Sequence, residues 1–320
     1  MQQEHNMEAP SATAITPPAN THGKKEFVPP GPVPEVLSKR YRIERLLGVG
    51  GMGAVYRARD LLREQFGDPE PWVAVKALND TFAEYPDAHA LLYSEFALTS
   101  RLRHAHVVQL FGFHTDARCR RAYITMELLK GPTLDDLISA NPEGLPWEQF
   151  REIAMALLQA LAHSHARGVL HGDLKPSNVM MAEDGLRLFD FGLGQSIGDR
   201  LPGLPRLSRA RLAAWTPRYA ALELLDGEPL SAAADVYAAA CVLYELCSGH
   251  HPFSRLTARQ AIRMGQDKTL EPPPRLPRHC WPALRRALAF EQTQRPDIPT
   301  LLAAFSQAAP SLLHRVLRRP

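Results

Sequence analysis

The sequence predicts an α+β fold of two lobes: a small β-rich lobe over about residues 41–128 and a larger helical lobe over about 133–308, with a cleft between them. Two observations predict it. Between Tyr41 and Glu127 short apolar runs alternate with glycine-containing breaks, and only one stretch, through Leu91, Leu92, Phe96, Leu98 and Leu102, has helical spacing. From Thr133 onward helical spacing dominates. The flanks differ from both lobes. Residues 1–38 are rich in Pro, Ser, Thr, Ala and Asn and poor in large apolar residues, which reads as a disordered tail. Residues 309–320 form a short amphipathic segment, so the folded domain is placed at 39–308.

The elements follow in order. Leu47-Gly48-Val49-Gly50-Gly51-Met52-Gly53-Ala54-Val55 reads as strand, glycine turn, strand. Glycine lets backbone N–H groups approach an anion without a Cβ in the way. Ala54 to Arg59 continues as a strand rather than a helix, which argues against a dinucleotide-binding turn. Leu61 to Trp72, with Gly67, Pro69 and Pro71, is a connector. Val73-Ala74-Val75-Lys76 is a strand ending in a lysine, and Glu95 lies on the one helix of this lobe. Tyr123 to Leu129 is a buried strand running into a polar connector. Trp147 to Arg167 is an amphipathic helix through Ile153, Leu157 and Leu161. Ala232 to Ser248 is apolar on nearly every face, so it is the buried central helix, and Asp235 within it requires a partner.

Composition excludes several classes. A net charge of +3 on 320 residues, with dispersed basic residues, does not suit a nucleic-acid groove. Cys119, Cys241, Cys247 and Cys280 have neither metal-ligand spacing nor a disulfide framework, which fits a reducing cytoplasm. No secretory signal and no membrane-spanning run is visible; the nearest, Ala232 to Leu246, is interrupted by Asp235 and Glu245.

The chemistry concentrates in His171-Gly172-Asp173-Leu174-Lys175-Pro176-Ser177-Asn178 and Asp190-Phe191-Gly192. Asp173 is placed to accept a hydroxyl proton, Lys175 to neutralise a phosphoryl group in transfer, and Asn178 and Asp190 to supply oxygen ligands to Mg²⁺. With the glycine-rich loop and Lys76 upstream, this order resembles the protein kinases, most closely the bacterial eukaryotic-like serine/threonine kinases, over roughly residues 41–308.

The resemblance implies a bilobal kinase fold with ATP in the cleft and Mg²⁺ as its metal, Mn²⁺ serving as a substitute. It makes Asp173, Lys175, Lys76 and Glu95 catalytic, with Glu95 orienting Lys76 on the phosphates. Leu47, Gly48, Val49, Gly50, Gly51 and Gly53 cover the nucleotide. Val55 and Ala74 form the roof of the base pocket, Met180 its floor and Met126 its rear, while the Glu127 C=O and Leu129 N–H bond the adenine edge. It pairs Glu223 with Arg295, sets Thr216 against Asp173 and Lys175, places Asp235 under the catalytic loop and packs His171 near Phe191. Protein Ser/Thr hydroxyls are the implied acceptors, with autophosphorylation and a cytoplasmic location; Ser11, Thr13, Thr16 and Thr21 are accessible hydroxyls of the tail.

Four positions depart from the family pattern. Thr99 stands where an apolar residue is usual and would loosen the helix carrying Glu95. Ala240 replaces a glycine and Leu222 a proline. Gly172 replaces the arginine that normally receives a phosphorylated activation loop, so phosphorylation of Ser196 or Ser208 is not expected to be the main switch. Thr133 and Ser177 stand where kinases preferring basic sites carry acids, although Asp135 and Asp136 lie close by. Two alternatives stay open. One is a small-molecule phosphotransferase, which also carries the His171-Gly172-Asp173 pattern; the other is a nucleotide-binding scaffold without turnover.

Overall fold

A computed structural model describes residues 33–50, 53–78, 88–197, 216–254 and 256–307. The small lobe is a six-stranded antiparallel sheet in the order β1-β2-β3-β4-β6-β5. The strands are β1 (Val36–Leu37), β2 (Tyr41–Val49), β3 (Gly53–Asp60), β4 (Trp72–Leu78), β5 (Leu110–Asp116) and β6 (Arg121–Met126). Two helices belong to this lobe: α1 (Leu61–Gln65) and α2 (Ala88–Thr99). The β4 strand is central and buried from Val73 to Leu78, which is why its lysine cannot be an ordinary solvated strand end.

The structure extends the predicted domain at its start. Leu37 is fully buried, the Ser38 N–H donates to Asp116 at 2.5 Å, and Arg40 grips Asp60 through two bonds of 2.9 and 2.7 Å. A two-residue strand is too short to carry a periodicity signal, so composition alone assigned these residues to the tail. The rest of that tail, residues 1–32 with its four hydroxyls, lies outside the described residues, as do 308–320. The connector after β3 is partly helical: Asp60 caps α1 by accepting from Leu62 N–H at 3.1 Å and more weakly from Arg63 N–H at 3.4 Å.

The large lobe contains α3 (Leu134–Ala140), α4 (Trp147–Ala166), the short strands β7 (Val169–Leu170), β8 (Val179–Ala182), β9 (Gly185–Leu188) and β10 (Gln195–Ser196), then α5 (Leu222–Leu225), α6 (Ala232–Ser248), α7 (Ala258–Arg263), α8 (Trp281–Ala287) and α9 (Ile298–Ser306). The expected central helix is α6: every residue from Ala234 to Ser248 is buried, and Gly249 ends it at φ +81°. That left-handed cap is a conformation glycine adopts without a Cβ penalty. Ala240 at full burial shows that the helix tolerates a methyl where glycine was expected. Leu222 is the first residue of α5, where proline is favoured but its missing N–H is not needed, so leucine fits.

Glu223 and Arg295 tie α5 to the segment before α9. The guanidinium donates to both carboxylate oxygens at 2.6 and 2.9 Å and to the carbonyls of Ala289, Phe290 and Ala233 at 2.7, 2.8 and 2.9 Å. Its side chain is fully buried, so each donor has found a protein acceptor instead of water. Arg295→Met strands a buried carboxylate and is expected to lower stability by about 3–5 kcal/mol in urea unfolding, with part of the loss recovered by adding Glu223→Leu. Thr99 is 3% exposed and its hydroxyl has no partner among the described residues. Thr99→Val keeps the shape and removes that orphan, so the same measurement should show a gain of about 1 kcal/mol.

Candidate active site

Three elements converge on the Lys76 ammonium. β4 carries the lysine, α2 carries Glu95, and the segment after β9 carries Asp190. Nζ lies 2.7 and 2.8 Å from the two Glu95 oxygens and 2.8 Å from Asp190 Oδ1. Burial lowers the lysine's proton affinity, but the charges of Asp190 and Glu95 together outweigh it and hold the ammonium well above the usual lysine range. Burial pushes Glu95 up against the pull of Lys76. Asp190 shows the opposite balance: Lys76 overrides burial and brings its carboxyl down to about 2. The pair with Glu95 was expected; the direct bond to Asp190, 114 residues away, was not. Thr99 therefore does not displace α2 in this state, since Glu95 is in place.

The catalytic loop is held from below. The Asp235 carboxylate accepts from the His171 N–H and the Gly172 N–H, both at 2.9 Å, and lies 2.9 Å from His165 Nε2. Burial would raise this carboxyl, but these donors overcome it and hold it below the usual range. His165, in the last turn of α4, is thus a positioning residue for the catalytic loop. His171 accepts the Asp173 N–H on Nδ1 at 3.2 Å, so its Nε2 carries the proton donated to Phe189 O at 3.1 Å. Its ring lies 4.6 Å from that of Phe191, as expected, and it is not available as a base.

Gly172 has a structural reason. Its φ is +80°, and a Cβ there would meet Leu193 O at 2.6 Å and Leu230 Cδ2 at 2.9 Å. Arginine cannot replace it without moving the loop.

Asp173 lies beyond it, its Oδ2 2.6 Å from Lys175 Nζ. Burial raises the Asp173 carboxyl from its ordinary value despite this lysine. Lys175 also donates to Thr216 Oγ1 at 3.0 Å, and Thr216 N–H reaches Asp173 Oδ1 at 3.5 Å. Asn178 donates to the Asp173 carbonyl at 2.9 Å, which leaves its Oδ1 as a free acceptor. Asp190 sits at φ +65°, a left-handed conformation rare outside glycine, with a side chain 37% exposed.

The residues expected to form the base pocket lie on β3, β4, β6 and β8 and on the connector after β6. Ala74 pairs with Met126 across β4 and β6, and Met180 bridges Thr133 below. The Glu127 carboxylate accepts the Gln109 N–H at 2.7 Å and lies 3.4 Å from Arg187 Nε, a pairing that no local pattern announces. Among the described residues no hydrogen bond takes the Glu127 carbonyl or the Leu129 N–H. Leu47, Gly48, Val49 and Gly50 are exposed on β2 and its turn, facing Val55 across the register. A Cβ on Gly48 would meet nothing, whereas one on Gly53 would lie 2.4 Å from Ala77 O. Gly53 is therefore required by the close approach of β4, and Gly51 lies outside the described residues.

This donor set fits a nucleoside triphosphate with a hard divalent cation. Asn178 Oδ1 and the ionised Asp190 carboxylate are hard oxygen ligands. Lys76 offers an ammonium, and at Gly48 a Cβ would meet nothing within 4 Å, so the backbone there has open space on that side.

The protein kinase domain family matches residues 41–306. The chain is 32% identical over 281 residues to the serine/threonine-protein kinase PkaA of Streptomyces coelicolor, covering 83% of this chain and 49% of that one. It is 32% identical over 223 residues to the serine/threonine-protein kinase PknB of Mycobacterium leprae, covering 69% and 34%. It is 31% identical over 285 residues to the serine/threonine-protein kinase pkn3 of Myxococcus xanthus, covering 85% and 50%. The chain thus spans between a third and a half of the length of these relatives. Among the described residues no helix is long and apolar enough to cross a membrane. By its match across both lobes, and by the site those lobes build, the chain belongs to the protein kinase family, among the bacterial serine/threonine-protein kinases.

Proposed function

We propose that this protein transfers the γ-phosphoryl group of ATP·Mg²⁺ to serine and threonine hydroxyls of proteins, its own included, in cytoplasmic signalling. The observation that carries the reading is the joint placement of two groups: Lys76 locked by Glu95 and Asp190, and Asp173 and Lys175 aligned on Thr216. The second group sets Thr216, in the segment that would dock a protein acceptor, beside Asp173 and Lys175, which a scaffold has no need of and a small-molecule phosphotransferase has no use for.

Asp173 orients the acceptor hydroxyl and takes its proton. The hydroxyl oxygen forms the new bond to the γ-phosphorus as the bond to the bridging β,γ-oxygen breaks, and ADP leaves with that electron pair. Lys175 shields the negative charge of the transferring group. Lys76, fixed in direction by Glu95, holds the phosphates, and the turn at Gly48 and Gly50 covers them. The metal, held by Asn178 and Asp190, would neutralise phosphate charge when bound. The base pocket of Val55, Ala74, Met126, Leu129 and Met180 sets the position of the adenine.

Phosphorylation of the activation segment is not the main switch in this reading. The glycine at 172 leaves no guanidinium to receive a phosphate, and the left-handed backbone there admits none.

Two outcomes are expected. With labelled ATP·Mg²⁺ and a generic protein acceptor, the wild type labels Ser and Thr, and Asp173→Asn loses about 10²–10⁴ of the rate while ATP still raises its melting temperature. Because burial holds the Asp173 carboxyl above its ordinary value, kcat/KM should fall on the acid side with an apparent pKa above the ordinary aspartate value of 3.8. ATP binding without any labelled protein would turn the reading to a scaffold, and labelled small alcohols to a small-molecule phosphotransferase. The second outcome concerns Ser196, and Ser208, which lies outside the described residues. Replacing both with alanine should leave most of the activity; near-total loss would make the loop the switch after all.

A further inference from the structure

A cavity of about 280 Å³ lies against the connector between the lobes. Its walls are Trp72 on β4 and Phe111 on β5 from the small lobe, the turn between β8 and β9 from the large lobe, and the connector after β6. It takes in none of Val55, Ala74, Met126 or Met180, so it shares only connector residues with the expected base pocket. At that size it holds a side chain or two rather than a drug-sized ligand.

Four carboxylates line it, Glu70, Glu127, Glu183 and Asp184, against one ammonium, Lys130. Arg187 is divided between Asp184 at 2.5 Å and Glu127 at 3.4 Å. Glu70 and Lys130 are both exposed, and their contact at 3.6 Å is a screened surface pair. Glu183 is exposed and makes no hydrogen bond or salt bridge among the described residues. Two further cations touch the wall: the guanidiniums of Arg57 and Arg59 lie 3.8 and 4.3 Å from the Trp72 ring centroid. Both are matched, Arg57 to Glu44 at 3.4 Å and Arg59 to Glu44 and Glu64 at 3.2 and 2.5 Å. With these partners included, six carboxylates stand against four cations. Arg42 and Arg45 lie one strand further off, on β2, and do not line the cavity.

The apolar wall has the matching chemistry. Trp72 already receives guanidiniums on its ring. Phe111 is 50% exposed on β5, an edge strand of the sheet, and no ring or guanidinium among the described residues stacks on it.

We infer that this cavity docks a basic segment of a partner protein, an arginine of which stacks on Phe111 and pairs with Glu183. The inference goes beyond the transfer reaction and does not rest on it. Arginine suits the site because its planar guanidinium covers an aromatic face and still offers donors to a carboxylate at its edge. Lysine can satisfy the carboxylate but not the stacked geometry, and an acidic segment meets the excess negative charge. The occupant would touch both lobes from outside the nucleotide cleft, so a partner can be held there while the cleft is occupied.

The test is fluorescence anisotropy of labelled peptides with the full chain. Two peptides are identical except that arginines flanking a central leucine in one are glutamates in the other; neither contains Ser, Thr or Tyr, so neither is an acceptor. Wild type should bind the arginine peptide about tenfold or more tighter, the scale of one cation–π contact with one or two exposed ion pairs, and the preference should shrink at high salt. Glu183→Lys should weaken the arginine peptide by about fivefold or more and Phe111→Ala by about threefold or more. Glu152→Lys, the same charge change on the exposed side of α4, should leave it unmoved. Glu183 and Phe111 are exposed, and each variant should keep the wild-type thermal shift with ATP·Mg²⁺, which separates a lost docking contact from a lost fold. Equal binding of the two peptides by wild type, or arginine-peptide binding left unmoved by Glu183→Lys or by Phe111→Ala, overturns the proposal. The kinase reading stands or falls separately, on labelled transfer to the generic protein acceptor. Self-association of the wild type that is lost in Glu183→Lys would make the occupant a second copy of this chain and overturns the proposal as well.

Discussion

The interaction on which the rest depends is the buried Lys76 ammonium between Glu95 and Asp190. Lys76 and Glu95 are 8% and 6% exposed, and a lone charge at that depth would be strongly unfavourable. Each is tolerable only while the others stay. Because the three groups come from the sheet, from α2 and from the large lobe, charge neutralisation fixes the relative placement of all three. The cleft geometry is thus an electrostatic consequence before it is a matter of packing. Leu91 and Leu92 of α2 pack with Leu78, Ala122 and Ile124 of the sheet and Leu98 joins the core of the large lobe, but this packing does not aim the glutamate. The ion pair does that.

A second buried charge plays the same part below the cleft. Asp235 is a carboxylate inside an otherwise apolar helix, and its lone pairs are taken by the backbone of the catalytic loop and by His165. The loop N–H groups in turn could not be buried without such an acceptor. The two problems solve each other, and the left-handed turn at Gly172 is the conformation that lets consecutive N–H groups point at one carboxylate. The missing arginine follows from this backbone. A side chain there would strike Leu193 O, so this backbone disfavours the arginine that would receive a loop phosphate.

What was legible in the sequence divides along physical lines. α4 and α6 were readable almost to the residue because their apolar spacing is long and their ends lie at clear breaks. The candidate reacting groups could be named from the sequence because phosphoryl transfer demands particular residue types at short fixed spacings, as from Asp173 to Asn178. Pairs joined only by folding were a different case. Glu223–Arg295 and Asp173–Thr216 were anticipated through family resemblance, not through any local signal. Lys76–Asp190, Glu127–Arg187, Tyr219–Glu245 and His165–Asp235 were not anticipated, since nothing along the chain marks which charges will meet. β1 and α1 were missed because elements of two and five residues carry too few positions for a period.

The Lys76–Asp190 bond also bears on how the site can accept its ligands. In this state the lysine that would hold phosphate is bonded to the carboxylate that would hold metal, at 2.8 Å. Removing either partner alone would leave a charge in a poorly solvated cleft. A polyphosphate brings negative charge to Lys76, and its metal brings positive charge to Asp190. When both arrive together, each residue exchanges one counter-charge for another and the cleft stays close to neutral throughout. Metal or polyphosphate arriving alone has no such exchange available. The same reasoning explains why Glu95 holds Lys76 through both of its oxygens: it keeps the ammonium buried and aimed while its second partner is exchanged.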